Sequence, residues 1–270
     1  MDANHCDRRQ WREWKSDQRE RIMNNSATLI AAKHRTRDGC YSEKALGVLG
    51  ELKRRVDQIY DSVQKTQIWQ TVISPNTPDD LLRACIREIL LSVCWYQKHT
   101  TEAGFHMLGR LPKDETILMK SLMLHKIEEA EHGVWAHKDY LELGGSLEEA
   151  HGHSSPAGFA IESVWWRMAT TENPFGYLGA EYLFEYLTAM VSQPAVEVFR
   201  RRNIQWKGAR FVIQHAIEDI KHTNLIHHLI GDTITRHPES ADAMILCLDY
   251  FRAVYPLPVW NEAFERATSK

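Results

Sequence analysis

The sequence predicts an all-α protein, and three observations support this prediction. Apolar residues recur at helical spacing over most of the chain after residue 43, and runs of alternating apolar and polar residues are missing from the sequence. Proline, glycine and short polar clusters separate the periodic segments where helix ends are expected. The predicted helices span 44–66, 78–98, 99–108, 114–143, 159–171, 175–192, 195–203, 207–230 and 238–253.

The chain divides by composition into a short first part and a long second part. Residues 1–43 are polar and rich in basic groups, and few apolar positions in them repeat at a helical or strand period. We interpret these residues as a polar N-terminal extension. Residues 44–270 are predicted to form one helical domain, which is long enough to bury a substantial core.

Charge and cysteine content exclude several classes of function. The chain has 33 Lys and Arg residues against 36 Asp and Glu residues, and this balance argues against binding nucleic acid by neutralising phosphates. Five scattered cysteines without a C-x-x-C pair predict neither a disulfide framework nor a zinc ribbon. The charged N-terminus and the shortness of every apolar run predict no secretory signal and no membrane span. We therefore expect a cytoplasmic protein whose partner is a small-molecule substrate.

The most informative motif lies near the end of the chain, in the apolar segment 207–230. His215, Asp219 and His222 follow the order H-x-x-x-D-x-x-H. Offsets of four and seven residues place the three side chains within an arc of roughly 60° on one helix face. Burying such a set is costly without compensation, and a metal ion is the usual compensation because imidazole and carboxylate are good ligands for iron, manganese or zinc.

A second helix repeats this motif. His125, Glu129 and His132 have the same offsets in the predicted helix 114–143. Glu129 and His132 form the E-x-x-H pair that helical carboxylate-bridged di-metal proteins use, and the later helix carries a D-x-x-H pair of the same shape. Two such faces in one all-α chain favour a metal site over a buried hydrogen-bonded network. His125 is interpreted as a core histidine, or as one that supports a ligand, and its role stays open.

A second metal ion would require further carboxylates, and three glutamates are candidates. Glu102, Glu181 and Glu185 each lie in an apolar or aromatic helical segment, where an unpaired carboxylate would be expensive. Glu102 follows two threonines and has an equally good interpretation as a helix-capping residue. The residues alone do not choose between Glu181 and Glu185.

With these residues, the chain resembles the heme-oxygenase-like diiron oxidases. The resemblance rests on Glu129-x-x-His132, on the segment LGAEYLFE that ends at Glu185, and on His215-x-x-x-Asp219-x-x-His222, and it extends in element order from about residue 50 to the C-terminus. It implies a heme-oxygenase-like bundle of about seven core helices with a non-heme diiron centre. It also favours Glu185 over Glu181, because the family segment ends in its ligand glutamate.

The resemblance implies ligand residues, cofactors and a function. The cofactors would be two Fe(II)/Fe(III) ions, with O2 as cosubstrate. The implied activity is that of an oxidase or oxygenase that acts on a small amino-acid-like or fatty-acid-like substrate by N-oxygenation, desaturation or oxidative C–C cleavage, in specialised metabolism or natural product biosynthesis. An external electron donor and a homodimer are both compatible with the sequence. The expected metal ligands are Glu102, Glu129, His132, Glu185, His215, Asp219 and His222.

Two other functions remain as alternatives. A thiaminase-like hydrolase has a related fold and uses a cysteine nucleophile without metal, and Cys94 is the only cysteine on a predicted core helix that suits this role. Such an enzyme would leave the two His/carboxylate faces unexplained. A ferritin-like iron-binding protein is the other alternative, because the E-x-x-H and D-x-x-H pairs also suit that architecture.

Overall fold

The computed structural model describes residues 35–36, 39–204 and 206–269. Ten helices follow in these ranges: α1 (Glu43–Val63), α2 (Gln67–Ile73), α3 (Asp79–Leu108), α4 (Thr116–Glu142), α5 (Leu147–Ala150), α6 (Pro156–Thr170), α7 (Tyr177–Arg201), α8 (Arg210–Arg236), α9 (Ala241–Val254) and α10 (Leu257–Thr268). Short 3-10 turns at Pro174–Gly176, Lys207–Ala209 and Pro238–Ser240 precede α7, α8 and α9.

Two short strands are the exception to the helical pattern. β1 (Arg35–Thr36) and β2 (Gly39–Cys40) pair in antiparallel register. Contacts group residues 1–40 apart from a unit that spans Tyr41–Lys270. Most of the predicted extension 1–43 lies outside the described residues, so its character stays a prediction.

Hydroxyl side chains begin several helices, as the local sequence requires. Ser42, Thr66 and Ser155 accept hydrogen bonds from backbone N–H groups at the starts of α1, α2 and α6. Each hydroxyl satisfies one N–H group that has no partner within its own helix.

The long helices pack around one apolar core. α7 lies against α8, and α3 lies against α4 and α6. Trp165 of α6 sits at the centre, with ring centroids 5.1 Å from Phe184 and 4.4 Å from Phe251. Among the described residues, seven helices have 14 residues or more, namely α1, α3, α4, α6, α7, α8 and α9. The all-α prediction is confirmed.

The structure corrects several predicted helix boundaries. The predicted helices 78–98 and 99–108 are one continuous helix, α3. The predicted helices 175–192 and 195–203 are also one helix, because α7 continues through Pro194. Buried residues on both sides, including Val191 and Ala195, hold the two halves in the core although the proline supplies no backbone N–H. The periodicity did not predict α2 or α10.

Among the described helices, none has both the length and the apolar character that crossing a bilayer requires.

Candidate metal site

Three helices bring six of the seven predicted metal ligands together with His125 inside the domain. α4 supplies His125, Glu129 and His132 from one face, α7 supplies Glu185, and α8 supplies His215, Asp219 and His222 from one face. All seven residues are buried. Apolar side chains of α7 and α8 pack in the core beside these residues, and the exposed side of α8 carries polar residues such as Lys221 and Asn224, so helix packing turns the ionisable faces inward toward each other.

The seven residues form two adjoining groups. Within each group, the possible ligand atoms lie within 4.8 Å of one another. We name them cluster A, which is His125, Glu129, Glu185 and His222, and cluster B, which is His132, His215 and Asp219. Glu129 connects the two clusters. Its Oε1 lies 3.0 Å from Nδ1 of His132 in cluster B and 3.5 Å from Nδ1 of His222 in cluster A.

Each histidine turns one ring nitrogen outward to an oxygen atom. Nε2 of His132 is 3.1 Å from Glu218, and Nε2 of His222 is 3.0 Å from Glu128. Nδ1 of His215 donates to the backbone carbonyl of Phe211 at 2.8 Å. Outer partners of this kind fix the orientation and tautomer of a histidine ligand and leave its other nitrogen for a metal ion.

Several of the atoms that point inward have no hydrogen-bond partners. Nδ1 of His132, Nδ1 of His222 and Oε1 of Glu129 are buried without one, and so are Nε2 of His125 and both carboxylate oxygens of Asp219. Buried polar atoms are normally hydrogen-bonded, and one orphaned atom costs about 1–3 kcal/mol. The orphaned atoms therefore form a donor set of imidazole nitrogens and carboxylate oxygens, which fits a first-row transition metal.

The charges of cluster A balance in the absence of metal. Burial opposes the charged form of His222, but the nearby carboxylates of Glu129 and Glu185, 3.5 and 3.4 Å from its Nδ1, raise its pKa to about 12. For His125, burial again opposes the charged form, and Glu185 with Glu181 raises the pKa to about 9. Burial and Glu129 would raise the pKa of Glu185, yet His125 and His222 lower it to about 2. The positive charges of two imidazolium groups, His125 and His222, thus offset the negative charges of the carboxylates in cluster A.

In cluster B, burial keeps His215 and Asp219 in their neutral forms. Burial and the neighbouring His132 lower the pKa of His215 to about 4, so its ring is neutral near pH 7. Burial, followed by the charges of Glu185 and Glu129, raises the pKa of Asp219 well above its ordinary value. A metal ion that entered this cluster would have to displace the proton that burial retains on Asp219.

The structure does not bring Glu102 to either cluster. Its side chain is 61% exposed, and its carboxylate is 4.0 Å from Nδ1 of His99. Gln97 is the residue of α3 that reaches the site, because its Nε2 is 3.1 Å from Oε2 of Glu129. Five residues turn a helix by about 140°, so Glu102 points away from the direction in which Gln97 points. Gln97 was not predicted as a site residue, because a single amide in a helix belongs to no metal-ligand motif.

His125 and Glu181 have positions that the sequence left open. His125 belongs to cluster A, with Nε2 2.9 Å from Oε1 of Glu185. Glu181 lies outside both clusters. Its carboxylate is 3.3 Å from Nδ1 of His125 and 2.6 Å from Nζ of Lys126. His125 lies seven residues before His132, as His215 lies seven residues before His222. This equal spacing could have predicted that His125 belongs to the site.

A mainly apolar cavity opens onto both clusters. It contains about 940 Å³ of non-atom space, part of it open to solvent. Its walls include Glu129 and Glu185 of cluster A and His215 and Asp219 of cluster B. From there it extends between α2, α3, α7 and α10, past Trp69, Leu90, Val93, Val191, Ala195 and Trp260. Lys and Arg are not among its described lining residues.

Two solved structures have a fold similar to that of this chain. The chain is similar to a domain of unknown function with a heme oxygenase-like fold from Shewanella denitrificans OS217, with 18% identity, a TM-score of 0.68, and coverage of 80% of this chain and 92% of that chain. It is also similar to a TenA homologue from P. horikoshii OT3, with 15% identity, a TM-score of 0.58, and coverage of 81% of this chain and 99% of that chain. No protein-family profile and no curated protein sequence matches the chain.

Fold and site together define a class. The protein has a heme oxygenase-like all-α fold, and inside it a buried group of histidine and carboxylate residues is able to hold metal ions.

Proposed function

We propose that the protein is an O2-dependent non-heme diiron oxidase or oxygenase. The observation that carries this proposal is the pair of adjoining buried clusters that share Glu129 and face an apolar cavity. Cluster A would hold one iron ion and cluster B the other. When bound, the iron pair would supply electrons for the reduction of O2, since mixed carboxylate and imidazole ligands suit both Fe(II) and Fe(III).

The residues of this chain would keep the ligands in place and control access. Gln97 donates to Oε2 of Glu129, which leaves Oε1 directed between the two clusters. Glu218 and Glu128 hold the outward nitrogens of His132 and His222. The apolar walls of the cavity would exclude bulk water from the reacting atoms and position the substrate.

The cavity favours the fatty-acid-like class of substrate over the amino-acid-like class. A free amino acid brings two charged groups that need partners and a fatty-acid-like molecule brings at most one, whereas the described lining has no Lys or Arg side chain. The polar groups away from the clusters are neutral, and they include Thr188, Ser192 and Tyr255. Burial raises the pKa of Tyr255 to about 12, so this phenol stays protonated. An apolar chain with one small polar head group therefore fits best, and N-oxygenation, desaturation and oxidative C–C cleavage are the candidate reactions.

The hydrolase alternative has less support from the described residues. Cys94 is not among the residues that line the cavity, and burial raises the pKa of its thiol to about 12. Burial also raises the pKa values of Cys85 and Cys247. A cysteine nucleophile requires a lowered pKa and access to substrate, and these three thiols have neither. The ferritin-like alternative assumed a ferritin-like helical bundle, and the heme oxygenase-like fold of this chain does not support that assumption.

Anaerobic reconstitution tests the proposal. Protein purified without metal should bind two Fe(II) ions per chain, and an oxygen electrode should then record O2 uptake. A series of fatty acids, fatty amines and amino acids of graded length should contain members that accelerate this uptake, and mass spectrometry would identify the product. An external reductant would be added in parallel reactions to test for an electron donor. Protein that binds no iron, or that forms ferric mineral at one rate with every compound, would contradict the proposal.

A further inference from the structure

A buried lysine and a buried glutamate lie next to His125 of cluster A. Lys126 and Glu181 are 3% and 1% exposed, and Nζ of Lys126 lies 2.6 Å from Oε1 of Glu181. The other carboxylate oxygen of Glu181, Oε2, lies 3.3 Å from Nδ1 of His125. The three residues form a continuous row that leads from the protein interior to Nε2 of His125 in cluster A.

The surrounding residues form a specific niche for the lysine. Its ammonium group lies 5.8 Å from the ring centroid of Trp165 and 5.7 Å from that of Tyr177, where the aromatic faces attract a cation. Its aliphatic stem passes over Gly104, where an added Cβ atom would lie only 2.8 Å from Cδ of Lys126. The absence of a side chain at Gly104 thus leaves the space that the lysine stem fills.

Stability alone does not account for this pair. The attraction within a buried ion pair does little more than offset the free energy lost when its two charges leave water. Replacing such a pair by apolar residues of similar size often leaves a protein equally stable. The position of the pair suggests a different role. One oxygen of Glu181 lies against Lys126 and the other faces Nδ1 of His125, so neither is directed at the inward-facing ligand atoms of cluster A.

We infer that Lys126 and Glu181 are positioning residues that make His125 a fourth histidine ligand through Nε2. The inference rests on the proposed diiron function. Glu181 would retain the proton on Nδ1 of His125 and orient the ring. Lys126 would neutralise Glu181 and hold it away from the metal ions. Outer carboxylates of this kind typically change metal affinity by about 10–100-fold.

The arrangement repeats that of the other histidines. His132 and His222 turn their outward Nε2 atoms to Glu218 and Glu128, and their inward Nδ1 atoms have no hydrogen-bond partner. His125 uses the opposite nitrogens: Nδ1 points outward, 3.3 Å from Oε2 of Glu181, and Nε2 points inward, and both nitrogens are buried without a hydrogen bond. The outer carboxylate of His125 is also the buried one, at 2% side-chain exposure, against 64% for Glu128 and 31% for Glu218.

Nitrogen NMR of protein with 15N-labelled histidine tests the assignment without any turnover. Zn(II) is the probe because it is diamagnetic and accepts the same ligands, and the spectrum of His125→Gln identifies the signals of His125. In zinc-loaded wild type we expect Nε2 of His125 to move to a metal-bound shift while Nδ1 remains protonated. A His125 ring whose Nε2 stays protonated in protein that binds two zinc ions would overturn this inference alone. Wild type that binds no zinc would overturn the inference and the proposed function together.

Two variants test the positioning role of Lys126 and Glu181. Lys126→Met keeps the stem over Gly104 and removes the charge, and Glu181→Gln keeps the shape of the carboxylate. Both should weaken zinc binding by about 10–100-fold and broaden or shift the His125 signals, while the His215 signals change little. Glu115→Gln is the matched control, because Glu115 is a buried carboxylate paired with Arg236 and His237, ten residues or about 15 Å of helix from His125. Zinc affinities equal to that of the control in both variants would contradict the positioning role.

Discussion

Oε1 of Glu129 lies 3.0 Å from Nδ1 of His132, so a residue of cluster A reaches directly into cluster B. The two residues are one turn apart on α4, and Gln97 of α3 holds the other carboxylate oxygen of Glu129. A carboxylate held in this way would be available to metal ions in either cluster. The proposed metal pair therefore depends on Glu129 more than on any other single glutamate.

Replacing Glu129 should disrupt both clusters. In Glu129→Gln we expect iron content to fall from two to about one ion per chain or less, since a neutral amide is a poorer ligand for a hard cation than a carboxylate is. Anaerobic Fe(II) titration with elemental analysis measures the change. Glu131→Gln removes the same charge from the exposed side of the same helix and should keep two iron ions. Equal iron content in the two variants would show that Glu129 is not shared.

Metal binding should release protons and should tighten as pH rises. His125, with a pKa of about 9, and His222, with a pKa of about 12, both carry an extra proton near neutral pH that a metal ion must displace. Each proton released makes the affinity about tenfold greater per pH unit. Zinc titrations by calorimetry at about pH 6 and 8, in buffers with different ionisation enthalpies, measure both effects. An affinity that does not depend on pH would contradict this charge assignment.

The same charges predict an opposite trend for folding without metal. The folded-state pKa of His125 is raised to about 9 from the ordinary histidine value of 6.5, so its stabilising contribution is complete below the lower value. It is lost as pH rises through about 9. Urea unfolding of metal-free protein should therefore show His125 contributing less at high pH, and His125→Gln should reduce this dependence. A wild type and a variant with parallel pH profiles would oppose this interpretation.

The far end of the cavity should limit substrate length. Ala195 lines it on α7, ten residues or about 15 Å of helix beyond Glu185. Ala195→Phe should lower kcat/KM for long chains about tenfold, which corresponds to ~1.4 kcal/mol, and should leave iron content and short substrates nearly unchanged. Ala189→Phe is the matched control, since Ala189 is buried on the same helix but does not line the cavity. A loss that is equal for all chain lengths, or equal in both variants, would argue against a binding cavity.

Two glycines should respond in opposite directions to alanine. Gly179 lies where α7 meets α9, and an added Cβ atom would be 2.0 Å from the carbonyl oxygen of Met244, so Gly179→Ala should lower the free energy of unfolding by about 1–3 kcal/mol. Gly50 is exposed on α1 with nothing within 4 Å of such an atom, and Gly50→Ala should raise it by about 0.5–1 kcal/mol. Urea unfolding measures both. A stable Gly179→Ala variant would mean that α9 can move away from α7.

The sequence by itself determined the fold class and most of the candidate site. Helical periodicity predicted long helices, and offsets of four and seven residues placed His125, Glu129 and His132 on one face and the residues of the second motif on another. These predictions succeeded because helix geometry is local, so that residue spacing along the chain fixes which side chains share a face. The heme oxygenase-like arrangement is likewise found in the solved structures similar to this chain.

Only the tertiary structure decided which residues of different helices meet. Glu102 and Gln97 lie on the same helix, yet Gln97 contacts Glu129 while Glu102 remains exposed. Glu181 and Glu185 are one turn apart on α7, and only Glu185 lies in a cluster. The reason is that the rotation of each helix about its axis is set by how its side chains interlock with those of its neighbours. That rotation depends on contacts between segments far apart in the chain, which the local pattern of α3 or α7 does not specify.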